Sequence, residues 1–289
     1  MASGRSRLLK RTEVPGGFDR ARYEAARVFA TASDGTRIPI SLAWRKGHVR
    51  DGRGALWLIA YGAYGYPYWI GFSPEQLTLL DRGVVVAVAH VRGGGEYGKR
   101  WHDDGRMLRK KNTFTDVVAA AEHLRRERWA AADRMALAGL SAGGLLVGAV
   151  VNLRPDLFRV VLAGVPFVDV INTMLDETLP LTVPEFEEWG NPKVKAHYDY
   201  MRSYSPYDNL ARVRYPALLA RTALNDSQVM YWEPAKYVAK LRTLDTGGRP
   251  VLLRTNMGAG HGGASGRYDK YREAAHDQAF VLGQLGVAK

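Results

Sequence analysis

Short apolar runs that alternate with amphipathic segments constrain the fold of this chain more than any other feature. Runs of this length, without polar alternation, are typical of strands that are buried on both faces of a parallel sheet. They are ALWLIAYG, GVVVAVAHV, RMALAGL, RVVLAGVP, PALLARTAL and PVLLRTNM. The amphipathic segments between them predict helices. The sequence therefore predicts a doubly wound, mostly parallel α/β sheet with helices on both faces.

Two further segments carry more local signals. Residues 27–44 alternate between apolar and polar side chains on either side of an Asp-Gly pair, which predicts a β-hairpin. Residues 112–128 predict a long amphipathic helix, with Asn112 or Thr113 as its N-cap. The polar, mixed residues 1–26 predict a leading arm or linker, and residues 27–289 predict a single domain.

Composition narrows the classes of function. The 289 residues are enough for one large α/β domain. The chain has no cysteine, which excludes disulfides, zinc–thiolate sites and a cysteine nucleophile. A cysteine-free chain fits a reducing compartment, and we expect a cytoplasmic protein. We expect no secretory signal and no membrane partner, because neither an apolar leader nor a long apolar span is present.

The net charge of +12 raises the question of nucleic-acid binding. The basic residues cluster at Arg5, Arg7, Lys10 and Arg11, and again in residues 106–111. Neither cluster is interleaved with aromatic residues, as stacking platforms for single strands are. We therefore predict a solvated basic surface and no nucleic-acid partner; the alternative predicts a steep salt dependence of binding.

A single serine stands among apolar residues and glycines in LAGLSAGGLLVGAV. Residues Gly139 to Gly143 read G-x-S-x-G, at a point where a buried strand gives way to a helix. That context predicts a nucleophile elbow, with Ser141 exposed on a strained turn at the helix N-terminus. It also predicts the α/β-hydrolase fold. The alternative is a serine packed in a glycine-rich turn.

A serine nucleophile needs a base, and the base needs an orienting acid. In this architecture the acid and then the histidine follow the serine along the chain. Of the three downstream histidines, His197, His261 and His276, only His261 lies in a glycine-rich loop directly after a predicted strand. Asp226 follows another predicted strand, although it is also a candidate cap or turn residue.

The oxyanion that forms during acyl transfer needs two hydrogen-bond donors. One candidate is the backbone N–H of Ala142, immediately after the nucleophile. The second is the phenol of Tyr61, in the segment AYGAYGYP that follows a predicted strand. The alternative for that segment is an ordinary tight aromatic loop.

At this point the sequence resembles a known family. The motifs are VRGGGEYGKRWHDDG, KKNTFTDVVAAAEHL, GLSAGG, GVPFVDVINTMLD, EFEEWGNP, YSPYDN, NDSQVMYWEPAKYVAKLR and GHGGASGR. They resemble the catalytic domain of the prolyl oligopeptidase family of serine peptidases, and within it the oligopeptidase B group. The resemblance implies Ser141, Asp226 and His261 as the catalytic triad, with Tyr61 and the Ala142 amide as oxyanion donors.

The same resemblance implies cleavage of short peptides after Arg or Lys. It assigns the recognition of the basic side chain to Glu185 and Glu187 in EFEEWGNP. Carboxylates hold a guanidinium bidentately, and such a pair is strong when it is desolvated. The alternative is an ordinary acidic loop.

The chain departs from the family pattern in two ways. Members usually begin with a β-propeller that covers the active site, and no propeller repeat is present here. We therefore expect a truncated piece, a fragment gene or a free-standing domain, partnered by a separate propeller chain or by further copies of itself. Where the family has acidic residues after the oxyanion tyrosine, this chain has Trp69, Ile70 and Gly71, which favours an aromatic subsite over a second basic one.

The sequence thus predicts a serine-type oligopeptidase that acts on short basic peptides and needs no cofactor and no metal. Two alternatives stay open. One is an esterase or aminoacyl-peptidase on the same fold, because fold and triad do not fix the leaving group. The other is an inactive fragment that lacks the propeller and only binds partners.

Overall fold

One eight-stranded sheet forms the centre of the molecule. The computed structural model describes residues 4, 6–11, 13–14 and 16–287. The remaining residues of the predicted leading arm, Arg5 among them, lie outside the described part. The strands are β1 Tyr23–Thr31, β2 Arg37–Arg45, β3 Ala55–Ile59, β4 Val84–Ala89, β5 Met135–Leu140, β6 Val160–Gly164, β7 Ala217–Ala223 and β8 Val251–Asn256.

The order of the strands in the sheet is β1-β2-β4-β3-β5-β6-β7-β8. The strands from β3 to β8 are parallel, and β1 and β2 are added at one edge as antiparallel strands. The mostly parallel sheet is therefore confirmed, and so is the hairpin, in which Val28 pairs with Ile40. Strand β1 begins at Tyr23 rather than at residue 27. Its first half is exposed at the sheet edge, where no alternation of burial marks the start of a strand.

Helices cover both faces of the sheet. They are α1 Pro74–Leu80, α2 Lys99–Asp103, α3 Lys111–Arg126, α4 Ala142–Leu153, α5 Val170–Leu175, α6 Phe186–Trp189, α7 Lys195–Arg202, α8 Trp232–Leu244 and α9 Arg267–Leu285. Buried side chains of α3, α4 and α8 form the core on one face, and those of α1 and α9 form the core on the other. In the described part of the chain, no helix has the length and apolar character needed to cross a membrane.

The predicted cap of α3 was wrong. The helix begins at Lys111 with Lys110 as its N-cap residue, because a 3-10 helix, Met107–Arg109, runs directly into it. The side chains expected to cap it bind elsewhere. Asn112 Nδ2 donates to the carbonyl of Asp104, and Thr113 Oγ1 donates to the carbonyl of Arg92 at 2.7 Å. Both side chains therefore brace the preceding loops.

The parallel strands bring the predicted site residues to one edge of the sheet. Ser141 follows β5, Asp226 follows β7 by three residues, and His261 lies in the loop after β8. The carboxyl ends of parallel strands meet at the same edge, where sites in such sheets are formed. Tyr61, two residues after β3, joins them there.

Candidate active site

Ser141 occupies the strained turn that the motif predicts. It links β5 directly to α4, with φ 57° and ψ −119°. A non-glycine residue at positive φ costs of order 1–3 kcal/mol, and such residues cluster at functional sites. The carbonyl of Gly164 on the neighbouring strand accepts the amide hydrogen of Ser141 at 2.8 Å, which helps to hold this conformation.

The glycines around Ser141 are required by close packing. A Cβ on Gly139 would meet the carbonyl carbon of Gly143 at 2.5 Å. A Cβ on Gly144 would meet Pro166 Cα at 2.5 Å, and one on Gly143 would meet the carbonyl oxygen of Ala60 at 2.9 Å. Helix α4 can therefore start close against β3 and β6 only because these positions lack side chains.

Asp226 and His261 form a direct pair. The His261 Nδ1 atom lies 2.8 Å from Asp226 Oδ2 and 3.0 Å from Oδ1. Asp226 also accepts hydrogen bonds from the amides of Gln228 and Val229, each at 2.9 Å. Burial alone would raise the pKa of Asp226, but the hydrogen bonds from His261 and the two amides outweigh it and lower the pKa. The buried carboxylate therefore stays ionised beside the ring.

Ser141 and His261 line the same cavity, at the end of β5 and under the loop after β8. The other downstream histidines lie on helices. His197 on α7 accepts the amide hydrogen of Asn191, and His276 lies half exposed on α9. The structure thus pairs His261 with Asp226 and places it on the cavity that Ser141 also lines, whereas the other two histidines have different surroundings.

The Tyr61 ring packs beside the start of α4. It lies 3.3 Å from the position that a Cβ on Gly143 would take, one residue beyond Ala142. Burial raises the pKa of Tyr61 to about 12, and the negative charges of Glu185 and Glu188 add to the effect. The phenol is therefore protonated at neutral pH and can act as a hydrogen-bond donor.

The glycines of the RGGG segment, residues 92–95, pack against the segment that follows β3. We call this segment, residues 61–65, the Tyr61 loop. Gly65 donates its amide hydrogen to the Gly93 carbonyl at 3.0 Å, and a Cβ on Gly93 would meet the carbonyl carbon of Gly62 at 2.9 Å. Gly62 itself has φ 69°, and a Cβ there would meet Thr113 Cγ2 at 2.5 Å. The two loops can approach each other closely because both are rich in glycine.

Glu185 lines a second, small cavity together with Ser141. Apolar side chains, including Phe167, Met174 and Val229, form most of its wall. The Glu185 carboxylate accepts hydrogen bonds from Tyr64 Oη at 3.0 Å and from Trp189 Nε1 at 2.6 Å. Burial raises its pKa, and these two hydrogen bonds oppose the rise. The arrangement places a partly desolvated carboxylate in a mostly apolar cavity that Ser141 also lines.

The structure does not bring Glu187 into this cavity. Its side chain is exposed, and its backbone carbonyl accepts a hydrogen bond from Arg106. Its neighbour Glu188 is buried instead, only 5% exposed, and sequence reasoning assigned it no role. A one-turn helix, α6, turns successive side chains to different faces, which the sequence pattern of three glutamates does not reveal. The role of Glu187 stays a prediction.

The residues that replace the family's acidic positions lie near the Tyr61 loop. The Trp69 side chain is largely exposed, and its ring lies across the Cα of Gly71, where any Cβ would overlap the indole. Tyr66 packs against Tyr61 with their ring centroids 5.8 Å apart. Among the residues that the structure describes, no group of three or more His, Asp or Glu side chains is placed to hold a metal ion.

A mostly parallel sheet, an elbow serine and a histidine–aspartate pair after later strands define an α/β hydrolase. The model of the prolyl oligopeptidase family matches residues 70–288. This chain belongs to the prolyl oligopeptidase family.

Relatives of known name support this assignment. The chain is 55% identical over 287 residues to dipeptidyl aminopeptidase BI of Pseudoxanthomonas mexicana, and 45% identical over 287 residues to protease 2 of Moraxella lacunata. These matches cover 99% of this chain but only 40% and 42% of the relatives. The structure of oligopeptidase B from Trypanosoma brucei with covalently bound antipain matches with a TM-score of 0.97 and 47% identity, over 100% of this chain and 41% of that one. The chain thus spans about two fifths of their length.

Proposed function

We propose that this chain is a serine peptidase domain that hydrolyses peptide bonds after Arg or Lys in short peptides. The observation that carries the specificity is the Glu185 carboxylate, which lines an apolar cavity together with Ser141. The cavity is small, so its wall must open to admit a long cationic side chain, and a side chain bound there would place its carbonyl carbon next to the serine. Its charge would meet a carboxylate that burial has already stripped of much of its water.

In the proposed mechanism, Ser141 Oγ attacks the scissile carbonyl and His261 takes its proton. Asp226 fixes the imidazole so that Nδ1 carries hydrogen and Nε2 faces the serine. The Tyr61 phenol and the Ala142 amide donate hydrogen bonds to the oxyanion. His261 then protonates the leaving amine. Water next attacks the acyl-enzyme while His261 takes its proton, and His261 returns that proton to Ser141 Oγ as the bond between Oγ and the acyl carbon breaks.

The charge distribution supports a cationic substrate. In a chain of net charge +12, three glutamates stand within four residues, at 185, 187 and 188. Two of them are also tied to the Tyr61 loop, since Tyr64 Oη donates to Glu185 and the Tyr64 amide donates to Glu188. The relative that was solved with covalently bound antipain is an oligopeptidase B.

The test is hydrolysis of three chromogenic substrates, an arginyl anilide, a prolyl anilide and a short-chain acyl ester. We expect the arginyl anilide to be preferred, with all turnover lost in Ser141→Ala. Glu185→Gln should raise KM for the arginyl substrate and leave ester hydrolysis nearly unchanged. Glu187→Gln tests the second predicted position, and we expect a smaller effect there because the Glu187 side chain is exposed. Ester turnover without arginyl turnover would refute the arginine site.

A second candidate is the release of dipeptides from the amino terminus. It is favoured by the relative that is named a dipeptidyl aminopeptidase, at 55% identity over nearly this whole chain. A pair of dipeptidyl anilides that end in arginine, one with a free amino terminus and one acylated, separates the two activities. An endopeptidase accepts both, whereas a dipeptidyl aminopeptidase requires the free amine. The cytoplasmic location, the lack of a nucleic-acid partner and the pairing with a propeller chain or another copy stay predictions.

A further inference from the structure

A buried charged cluster lies behind the Tyr61 loop and takes no part in the proposed chemistry. It consists of Lys110, Glu188 and His102. Lys110 is 1% exposed and Glu188 is 5% exposed. His102 Nε2 lies 2.6 Å from Glu188 Oε2, and Lys110 Nζ lies 4.0 Å from Glu188 Oε1. The three residues come from α2, α6 and the start of α3.

The cluster is attached to the Tyr61 loop at two points. Lys110 Nζ donates to the carbonyl of Gly62 at 2.5 Å, one residue after Tyr61. Glu188 Oε1 accepts the amide hydrogen of Tyr64 at 3.0 Å. The His102 ring also packs against Gly65, 3.3 Å from the position that a Cβ there would take. Charged side chains therefore bind the backbone of the Tyr61 loop, which bears the proposed oxyanion donor.

The same cluster also contacts α6, the helix beside the small cavity that Glu185 and Ser141 line. Glu188 and Trp189 belong to α6, and Trp189 Nε1 donates to the Glu185 carboxylate. Lys110 Nζ lies 4.9 Å from the centre of the Trp189 ring, within the range of a cation–π contact. Lys110 thus contacts both the Tyr61 loop and α6.

Burying a lysine is costly for folding alone. Taking an ammonium group out of water costs several kcal/mol, and an apolar side chain of similar volume is often as stabilising. Burial lowers the pKa of Lys110 to about 8, although the Glu188 charge opposes the effect. The polar partners of this costly group all lie next to the proposed oxyanion and specificity residues, which points to a role in the geometry of the site.

We propose that Lys110 is a positioning residue that fixes the Tyr61 phenol opposite the Ala142 amide, acting through the Gly62 carbonyl and through Glu188. This inference rests on the proposed function, in which Tyr61 stabilises the oxyanion. An oxyanion donor is effective only where the negative charge develops, so a shift of about 1 Å can cost roughly 100-fold in rate. Lys110 therefore acts on kcat through Tyr61.

The test is a double-mutant cycle of Lys110→Met and Tyr61→Phe, measured per active site after titration with a fluorophosphonate. We expect Lys110→Met alone to lower kcat for the arginyl anilide by roughly 10- to 100-fold, with a smaller change in KM. In the Tyr61→Phe background we expect a further loss of less than about 3-fold, because the donor that Lys110 positions is already gone. Losses that multiply in full would overturn the proposal.

A second pair of variants covers the case in which Lys110→Met does not fold. His102→Gln keeps a donor for Glu188, whereas His102→Leu removes it at similar size. We expect His102→Gln to retain kcat within about 3-fold and His102→Leu to lose roughly 10-fold, again only when Tyr61 is present. Equal losses in both variants, or losses independent of Tyr61, would contradict the proposal.

Failure of this inference and failure of the proposed function are distinguishable. Wild-type hydrolysis of the arginyl anilide, and its dependence on Glu185, report the proposed function alone. The rate of Ser141 phosphonylation also depends on an oxyanion donor, so the same cycle can be read from that rate without any peptide substrate. Additive effects on this rate as well would reject the role of Lys110 whatever the substrate.

Discussion

The position of Ser141 depends on neighbours that have no side chain. Its positive φ is held by the turn between β5 and α4, and the helix lies close to β6 because Gly144 allows contact with Pro166. Ser141 is only partly exposed, and it lies at the helix N-terminus, where developing negative charge is stabilised. Side-chain volume at the surrounding glycines therefore controls whether the site is assembled.

A methyl group at Gly144 should disrupt the elbow. In Gly144→Ala the added Cβ would meet Pro166 Cα at 2.5 Å, and neither backbone can easily move. We expect a destabilisation of about 1–3 kcal/mol in urea unfolding, together with slower fluorophosphonate labelling of Ser141. The matched control is Gly283→Ala on α9, where a Cβ would meet nothing within 4 Å; it should stabilise the protein by about 0.5 kcal/mol. Equal effects of the two changes would contradict this explanation.

The raised pKa of Glu185 predicts a dependence of specificity on pH. Burial raises this pKa above its ordinary value. The Glu185 carboxyl therefore takes up a proton at a higher pH than the carboxyl of an exposed glutamate does. As the pH falls through this pKa, the ratio of kcat/KM for the arginyl anilide to kcat/KM for the ester should decrease. The ratio cancels any pH dependence that the two reactions share. A ratio that stays flat down to pH 4 in the wild type, or falls equally in Glu185→Gln, would contradict the assignment.

At the scale of elements, apolar runs predicted the strands well because burial on both faces leaves few polar residues. The start of β1 and the cap of α3 were predicted less well. Strand β1 is at the sheet edge, and its first residues are exposed, so their polarity hides the strand. The start of α3 is set by the preceding 3-10 helix and by distant carbonyls that Asn112 and Thr113 bind. Such tertiary contacts leave no local pattern.

A buried ion pair connects the RGGG segment, residues 92–95, to α3. Arg92 donates to Asp116 through Nε at 2.9 Å and Nη2 at 2.6 Å, and Asp116 is fully buried. The half-exposed Asp34 is the second partner of Arg92. Arg92 thus joins the hairpin turn, through Asp34, and α3, through Asp116, to the RGGG segment.

The two partners of Arg92 should contribute unequally to stability. Asp116→Asn leaves a buried guanidinium without its bidentate partner, and we expect a loss of about 3–5 kcal/mol in urea unfolding. Asp34→Asn removes a half-exposed partner, and we expect less than about 1 kcal/mol. A larger effect for Asp34 than for Asp116 would show that the buried pair does not tie these elements together.

At the scale of the whole molecule, one buried carboxyl should make the stability depend on pH. Glu233 on α8 is completely buried and accepts hydrogen bonds from the amides of Val168 and Asp169. Burial raises its pKa to about 7, above its ordinary value of 4.5. The folded state therefore holds this proton more tightly than the unfolded state between these two pH values. Its contribution to stability is present below pH 4.5 and is lost as the pH rises through 7.

Glu233→Gln tests this linkage. From pH 5 to pH 8 the free energy of unfolding of the wild type should fall relative to that of the variant, by roughly 2–3 kcal/mol. Urea unfolding at a series of pH values gives the difference directly. A difference that is constant across this range would show that Glu233 is ionised in both states.

The sequence alone could predict the candidate site in part. Ser141, Asp226 and His261 could be predicted because each follows a recognisable strand, and the topology brings strand ends together. Glu188 and Lys110 carried no such signal. Both residues are notable because they are buried and because they contact distant parts of the chain. Lys110 contacts Gly62, 48 positions away, and Glu188 contacts Tyr64, 124 positions away. Interactions of that kind are properties of the folded molecule.

In the proposed function, Ser141 is a nucleophile beside a site for a basic side chain. The most direct measurement compares two peptidyl phosphonates that differ only in the side chain next to phosphorus, one with a guanidinium and one with an apolar group of similar length. Intact mass spectrometry gives the rate of adduct formation, and peptide mapping gives its position. We predict an adduct on Ser141 that forms at least about 10-fold faster with the guanidinium probe, and an advantage that disappears in Glu185→Gln. Equal rates for the two probes would contradict a site for a basic side chain at Glu185, and an adduct on another residue would contradict Ser141 as the nucleophile.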